Sequence, residues 1–203
     1  MTRFEIINYL IQKCGLQRYL EIGLAGGDNF YQVRCGSKEG TDPSLRIHEE
    51  GAKLWALPSD DFFKQVKSKD PAKYDIIFID GLHEAQQVIR DVENCLKFLN
   101  DNGFIVVHDC NPKTYESQLV PWPQGYPFWH GDVWKVIALL RTRMPQLEIM
   151  VVDTDCGCGI IRKGRQELFK PEANAPLLTY PYLDTHRQAL LNLKSVEEFQ
   201  AAY

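Results

Sequence analysis

Two apolar runs in this sequence stop on groups that can do chemistry. "YDIIFIDGLH" passes from buried-type residues into Asp80 and, three positions on, His83, and "GFIVVHDC" ends in His108 and Asp109. In open α/β sheets the carboxyl ends of the strands are where ligands bind, so carboxylates and imidazoles placed there are candidates for catalysis rather than for packing. A third run, "LEIGLAGGDNF", puts Glu21 at the end of an apolar strand and Gly23, Gly26 and Gly27 in the turn that follows. Glycines in a first strand-to-helix turn let a ligand lie against the backbone, and the next helix terminus favours negative charge. The spacing fits neither G-x-G-x-x-G nor the phosphate loop G-x-x-x-x-G-K-[ST], which argues against a nucleoside triphosphate. Asp42 lies about twenty residues beyond Glu21, where an acidic side chain at the end of a second strand accepts hydrogen bonds from both ribose hydroxyls. Ser59 and Asp60 follow a third strand, where an adenine amino group can be read. Together these positions imply an adenosine ligand.

The elements that must position these groups alternate in type. Residues 2 to 14 place Phe4, Ile7, Leu10 and Ile11 at helical spacing, and "YLEIG" then reads as a short strand stopped by glycine. A second strand is placed at Val33 to Cys35 and a third in "AKLWALP", followed by a helix "SDDFFKQVKS" capped by the Ser59 hydroxyl. "YDIIFID" is the fourth strand and has the clearest signal. From Glu84 to Leu99, the residues Val88, Val92, Cys95, Leu96 and Leu99 make one helical face, and "FIVVHDC" is the fifth strand. The aperiodic stretch 111–132, rich in Pro, Trp and Tyr, has the length of a lid or binding loop. "VWKVIALLRTRM" resumes as a helix, and "LEIMVVDTDCGCGIIRKG" reads as two strands joined by a tight turn, an antiparallel hairpin. The tail, 164–203, holds a proline-interrupted segment and then one helix around "DTHRQALLNLKSVEEFQ". The predicted class is α/β: a doubly wound, mostly parallel sheet.

Composition narrows the function. With 203 residues the chain is expected to form one domain, 1–203, around one substantial core, and a net charge of −4 offers no basic field for nucleic acid. The expected partner is a small-molecule acceptor, with no nucleic acid and no membrane, and homo-oligomer formation stays open. The start of the sequence has no secretory pattern, so the expected compartment is cytoplasmic. The six cysteines are scattered through regular elements, which suits reduced thiols better than a disulfide framework. Cys156-Gly-Cys158 lacks a matching second pair for a structural zinc site and reads as a tight turn.

"YLEIGLAGGDNF", "GTDPS", "PSDDFF", "YDIIFIDGLH" and "GFIVVHDC", in that order, resemble the successive motifs of the class I S-adenosylmethionine-dependent methyltransferases, in particular a small branch with the pattern EIG, IDGxH and HDC. The resemblance covers about residues 18 to 162. It implies a Rossmann-like methyltransferase fold, a seven-stranded sheet whose last strand is antiparallel. The stretch between Gly27 and Asp42 is shorter than that pattern usually allows and leaves little room for a first helix. By the resemblance, Glu21, Gly23, Gly27 and Asn29 line the methionine end of S-adenosylmethionine, Asp42 holds the ribose, and Ser59 and Asp60 approach the adenine. The resemblance is also to metal-dependent O-methyltransferases of catechol and macrolide-sugar type. It implies that Asp80 and Asp109 hold Mg2+ or Mn2+, with Asp80 also beside the cofactor, and that His83 is the base that removes the acceptor's proton. His108 is a candidate third ligand, one that favours manganese, iron or zinc.

The plainer readings are a helix cap for Asp80, a turn for Asp109 and a satisfied core histidine for His108; His130 and Asp132 are expected to face the acceptor, and Asp132 reads equally well as a helix cap before Val133. The expected function is metal-assisted O-methylation of a small hydroxylated acceptor, a sugar or natural-product intermediate. The alternatives are an NAD(P)-dependent oxidoreductase, disfavoured by glycine spacing and hairpin, and an adenosine-cofactor-binding protein without catalysis.

Overall fold

Strands buried on both faces read as near-continuous apolar runs, and this is why residues 76–79 and 104–107 are hydrophobic at successive positions. In the computed structural model, which describes residues 1–203, β1 (Arg18–Ile22), β4 (Tyr74–Ile79) and β5 (Leu99–Val107) lie side by side and parallel at the centre of the sheet. Side chains alternate between two cores, as a period of two demands. Ile76, Phe78, Phe104 and Val106 face a cluster that includes Ile6, Ile7 and Leu10 of α1 (Arg3–Cys14). Ile77, Ile79, Ile105 and Val107 face the opposite cluster, with Val88, Val92 and Cys95 of α3 (Ala85–Phe98) and Trp134 and Ile137 of α4 (Trp134–Arg143). Between these helices in sequence lies the short α2 (Ser59–Phe62), which continues as one π-type turn over Phe63–Lys67.

The sheet has eight strands, ordered β3-β2-β1-β4-β5-β7-β6-β8. β2 (Ser37–Thr41) and β3 (Lys53–Trp55) extend it on one side, and β6 (Leu147–Val152) and β7 (Cys158–Lys163) form the expected hairpin on the other. β7 is antiparallel to both of its neighbours, β5 and β6, as the resemblance implied for the seventh strand. The eighth, β8 (Leu193–Lys194), is an addition by the tail and runs parallel to β6.

Two local expectations are corrected. β2 begins at Ser37, not Val33, and its signal was hidden because it buries charged groups: the Lys38 ammonium donates to the carbonyls of Phe30 and Val33, while Glu39 accepts from Trp55 Nε1 and the Tyr74 hydroxyl. As the short stretch after Gly27 implied, the helical structure between it and β2 is a single 3-10 turn, Phe30–Gln32. The single tail helix is two, α5 (Tyr180–Leu190) and α6 (Val196–Ala202), with β8 between them. Asn192 adopts a left-handed φ of 47°, and Ser195 and Glu198 form a reciprocal capping box that starts α6. No helix is long and apolar enough to cross a membrane.

Candidate functional site

A cavity of about 430 Å³ opens at the carboxyl ends of β1, β2 and β4, and Gly23, Asp42, Ser59, Asp60 and Asp80 all line it. The glycine turn is built to lie close. Gly23 has φ +87°, and a Cβ there would fall 2.2 Å from the Asp80 carbonyl oxygen, so only glycine lets the end of β1 press on the end of β4. Asp42 fixes the same turn from the other side, since its carboxylate accepts from the backbone N–H of Leu24 at 2.9 Å, Ala25 at 3.0 Å and Ser44 at 2.7 Å. The Ser59 hydroxyl does not cap α2. It donates to Asp91 Oδ1 at 2.6 Å, and Gln87 Nε2 donates to the same oxygen at 3.0 Å. Asp91 also lines the cavity, and burial pushes its carboxyl up to about 6. Sequence reasoning missed it, although a carboxylate amid Val88, Val92 and Cys95 on the buried face of α3 was a visible signal.

Glu21, Gly27 and Asn29, expected beside the cofactor, lie off the cavity wall. Gly27 serves the turn at φ +83°, where a Cβ would meet the Tyr31 ring at 2.6 Å. Glu21 is 1% exposed and accepts from the Tyr19 hydroxyl and from Asn29 Nδ2, which lies 2.8 Å away. Burial pushes the Glu21 carboxyl from 4.5 up to about 8, against the opposing hydrogen bonds of Tyr19 and Asn29. The folded chain therefore holds a proton that the unfolded chain has lost, and stability present below pH 4.5 drains away as the pH climbs toward 8. In Glu21→Gln the melting temperature is expected to fall less between pH 5 and pH 8 than in the wild type. Parallel pH profiles for the two proteins would refute the assignment.

The second group of residues gathers where β4 and β5 end together, with Ile79 in register with Val107 and His108 N donating to the Ile79 carbonyl at 3.0 Å. Asp109 then turns out of the sheet with φ 60°. His83 Nε2 lies 3.3 Å from Asp80 Oδ1, and its Nδ1 lies 3.2 Å from Asp109 Oδ2 and 3.3 Å from the Trp129 carbonyl. His108 Nδ1 sits 3.3 Å from each of the same two carboxylates. Burial works against a charged imidazole, but the hydrogen bonds and charges of Asp80 and Asp109 outweigh it, so both histidines are raised above the ordinary histidine value. Asp80 is correspondingly held low by His108 and His83 in spite of its burial. Donor atoms of Asp80, His83 and Asp109 all lie within 4.8 Å of one another, a spread that suits one divalent cation.

Two contributors here were invisible in the sequence. Arg3 of α1 approaches Asp80 Oδ2 at 3.8 Å, and its backbone N–H donates to Asp155 Oδ2 at 2.6 Å. Asp155, from the β6–β7 turn, is held at about 2 chiefly by the His108 ring, whose Nε2 lies 3.6 Å from its Oδ1. His130 Nε2 is 3.9 Å from Asp109 Oδ1. Asp132 is a cap, but for a different helix than expected: its carboxylate accepts from Ala85 N of α3 at 2.6 Å, and its own N–H donates to the His83 carbonyl. The loop thereby grips the His83 segment, and Gly131 permits it, since a Cβ there would sit 1.7 Å from the His83 carbonyl oxygen. The Trp129 ring stacks on His83 with centroids 5.2 Å apart, and Trp122 stacks on Trp129 at 5.9 Å. Trp122 and Phe128 remain exposed beside them.

Residues 20–110 match the family described as a methyltransferase domain. The fold is shared with solved structures of low sequence identity. An S-adenosylhomocysteine-bound methyltransferase of Podospora anserina, PaMTH1, is 18% identical with a TM-score of 0.58, over 79% of this chain and 77% of that one. A putative caffeoyl-CoA O-methyltransferase of Staphylococcus aureus is 18% identical with a TM-score of 0.57, over 79% and 82%. MycE, a methyltransferase of mycinamycin biosynthesis solved with Mg, S-adenosylhomocysteine and mycinamycin VI, is 14% identical with a TM-score of 0.53, over 81% of this chain and 50% of MycE. No curated protein matches the sequence.

Proposed function

We propose that this chain, whose residues 20–110 match a methyltransferase domain, is an S-adenosylmethionine-dependent methyltransferase that transfers the methyl group to a hydroxyl oxygen of a small acceptor, assisted by a divalent cation at Asp80 and Asp109. The observation that carries this reading is the position of Asp80. It belongs at once to the wall of the adenosine-sized cavity and to the carboxylate–imidazole cluster, so cofactor and cation would meet at the end of β4. MycE, which shares the fold, was solved with both Mg and S-adenosylhomocysteine.

In this reading Asp42 receives the ribose hydroxyls, and Ser59, Asp60 and Asp91 meet the adenine edge. Gly23 leaves room for the methionine end, with Glu21, Gly27 and Asn29 supporting the turn behind it. The donor set fits a divalent cation: two carboxylates suit Mg2+, and His108 within reach shifts preference toward Mn2+, Fe2+ or Zn2+. When bound, such a cation supplies Lewis acidity that makes the acceptor hydroxyl easier to deprotonate. His83 takes that proton. The Trp129 carbonyl can only accept, so Nδ1 carries the hydrogen, and Nε2 is left with the lone pair. S-adenosylmethionine bound in the cavity would supply the methyl group from its sulfonium and leave as the neutral thioether, with Gly23 and Asp80 holding that end of it toward the acceptor oxygen. The stacked Trp129 and Trp122 offer a face for an apolar or sugar-like acceptor ring.

Asp42→Ala is expected to weaken S-adenosylhomocysteine binding by roughly tenfold to a hundredfold, the equivalent of about 1.5 to 3 kcal/mol for charge-assisted hydrogen bonds. Unchanged affinity by calorimetry would remove Asp42 from the ribose. The reaction class is tested with labelled S-adenosylmethionine and a set of hydroxylated acceptors, since a label found on nitrogen or carbon rejects O-methylation.

A further inference from the structure

The turn between β6 and β7 brings up a donor that methyl transfer, as proposed above, does not use. Asp155 and Cys156 both adopt left-handed backbone, with φ 45° and 64°, and Gly157 follows at 88°. This coil is pinned to the segment after β5. Cys110 N donates to the Gly157 carbonyl and Asn111 N to the Cys156 carbonyl, each at 2.9 Å, and a Cβ on Gly157 would fall 2.4 Å from Asn111 Cβ. The result is that Cys156 Sγ, a ring nitrogen of His108 and a carboxylate oxygen of Asp109 all lie within 4.8 Å of one another. Bonds of roughly 2.3 Å to sulfur and 2.0 to 2.1 Å to nitrogen put one ion in reach of all three after small side-chain rotations.

A second observation points the same way. His108 is 9% exposed, yet its Nε2 has no hydrogen-bond partner, and the nearest carboxylate oxygen, Asp155 Oδ1, is 3.6 Å away. A buried nitrogen left without a partner is costly, and a ligand that satisfies it recovers that cost. Cys156, in contrast to the buried Cys158 two positions on, is exposed, so an ion has a way in.

We propose that His108, Asp109 and Cys156 form a second cation corner that takes a thiophilic divalent ion, with Asp109 shared between it and the Asp80–His83 side. Thiolate and imidazole select zinc, iron(II) or cobalt(II) over magnesium. Binding replaces the thiol S–H bond by a sulfur–metal bond and releases the proton to water. This corner shares Asp109, and the reach of His108, with the catalytic cation proposed above, and Cys156 is the donor that belongs to it alone.

The test is to add Co2+ to the full chain after chelator treatment and to follow thiolate-to-cobalt charge-transfer absorption in the near ultraviolet. The wild type is expected to show the band. Cys156→Ser, a change in an exposed turn, is expected to lose it with an unchanged melting temperature, and Co2+ binding at this corner weakens at least by the roughly tenfold to hundredfold that loss of an outer-shell partner causes. His108→Gln is expected to lose the band as well. Asp80→Asn, which disables the cation pocket of the methyl-transfer reading, is expected to keep it, so the two ideas fail separately. No band in the wild type, or a band that survives Cys156→Ser, overturns the proposal.

Discussion

Replacing His83 by Ala is expected to lower turnover by about 10² to 10⁴ while leaving cofactor affinity nearly intact, the loss typical of a removed general base. Geometry supports this split. His83 touches Asp80, Asp109 and the Trp129 carbonyl, all on the cluster side, and is not among the residues lining the cavity. The neutral imidazole is the active form, so turnover should rise with pH through the His83 pKa. In the chain as it stands, Asp80 and Asp109 raise that pKa above the ordinary histidine value, and the imidazolium they favour is a poor base. A cation between the same carboxylates opposes a second positive charge and should bring the midpoint down. The expected pattern is therefore a pH midpoint that moves to lower values as Mg2+ is added. If the histidine only packs the loop against α3, the mutant loses melting temperature and the folded fraction turns over normally. Near-normal turnover in a well-folded mutant excludes His83 as the base.

Cation removal should have an effect of similar size. Lewis-acid assistance contributes several kcal/mol, so turnover in excess chelator is expected to fall by about 10³ or more and to recover with Mg2+ or Mn2+. Without a cation, Asp80 and Asp109 are occupied by His83 and His108, and the imidazole that should accept a proton is tied up between two carboxylates. Asp109→Asn keeps the side-chain shape and removes one charged ligand. It should weaken Mn2+ binding and depress turnover together, and saturating Mn2+ should restore part of the rate. Full activity in excess chelator would reject the cation's role while leaving methyl transfer from S-adenosylmethionine in place.

The sequence by itself determined the sheet's centre and the ends of its strands. β4 from Ile76 to Ile79 and β5 from Phe104 to Val107 are apolar at successive positions because both faces are buried there, and that pattern is local, so "YDIIFID" and "FIVVHDC" were legible without any contact information. The residues that stop those runs, Asp80, His83, His108 and Asp109, were legible for the same reason: polarity at the end of a buried strand is conspicuous. The hairpin of β6 and β7 and the glycine turn after β1 followed from turn chemistry, which also acts over a few residues. What failed was every feature whose cause is distant in sequence. β2 looked polar because Lys38 and Glu39 are satisfied by Phe30, Val33, Trp55 and Tyr74 from other segments. Ser59 looked like a cap until α3 presented Asp91 to it, and Asp132 caps α3 across the loop rather than the helix it precedes. Arg3, Asp155 and Cys156 come to the cluster from opposite ends of the chain, Arg3 and Asp155 being 152 residues apart. No periodicity encodes such a meeting. It arises because β5 sits between β4 and the antiparallel β7, which brings the β6–β7 turn to the same edge of the sheet as Asp80 and Asp109. Side-chain chemistry is thus written along the chain, whereas the partner that sets each group's charge, proton and reach is chosen only when the sheet closes.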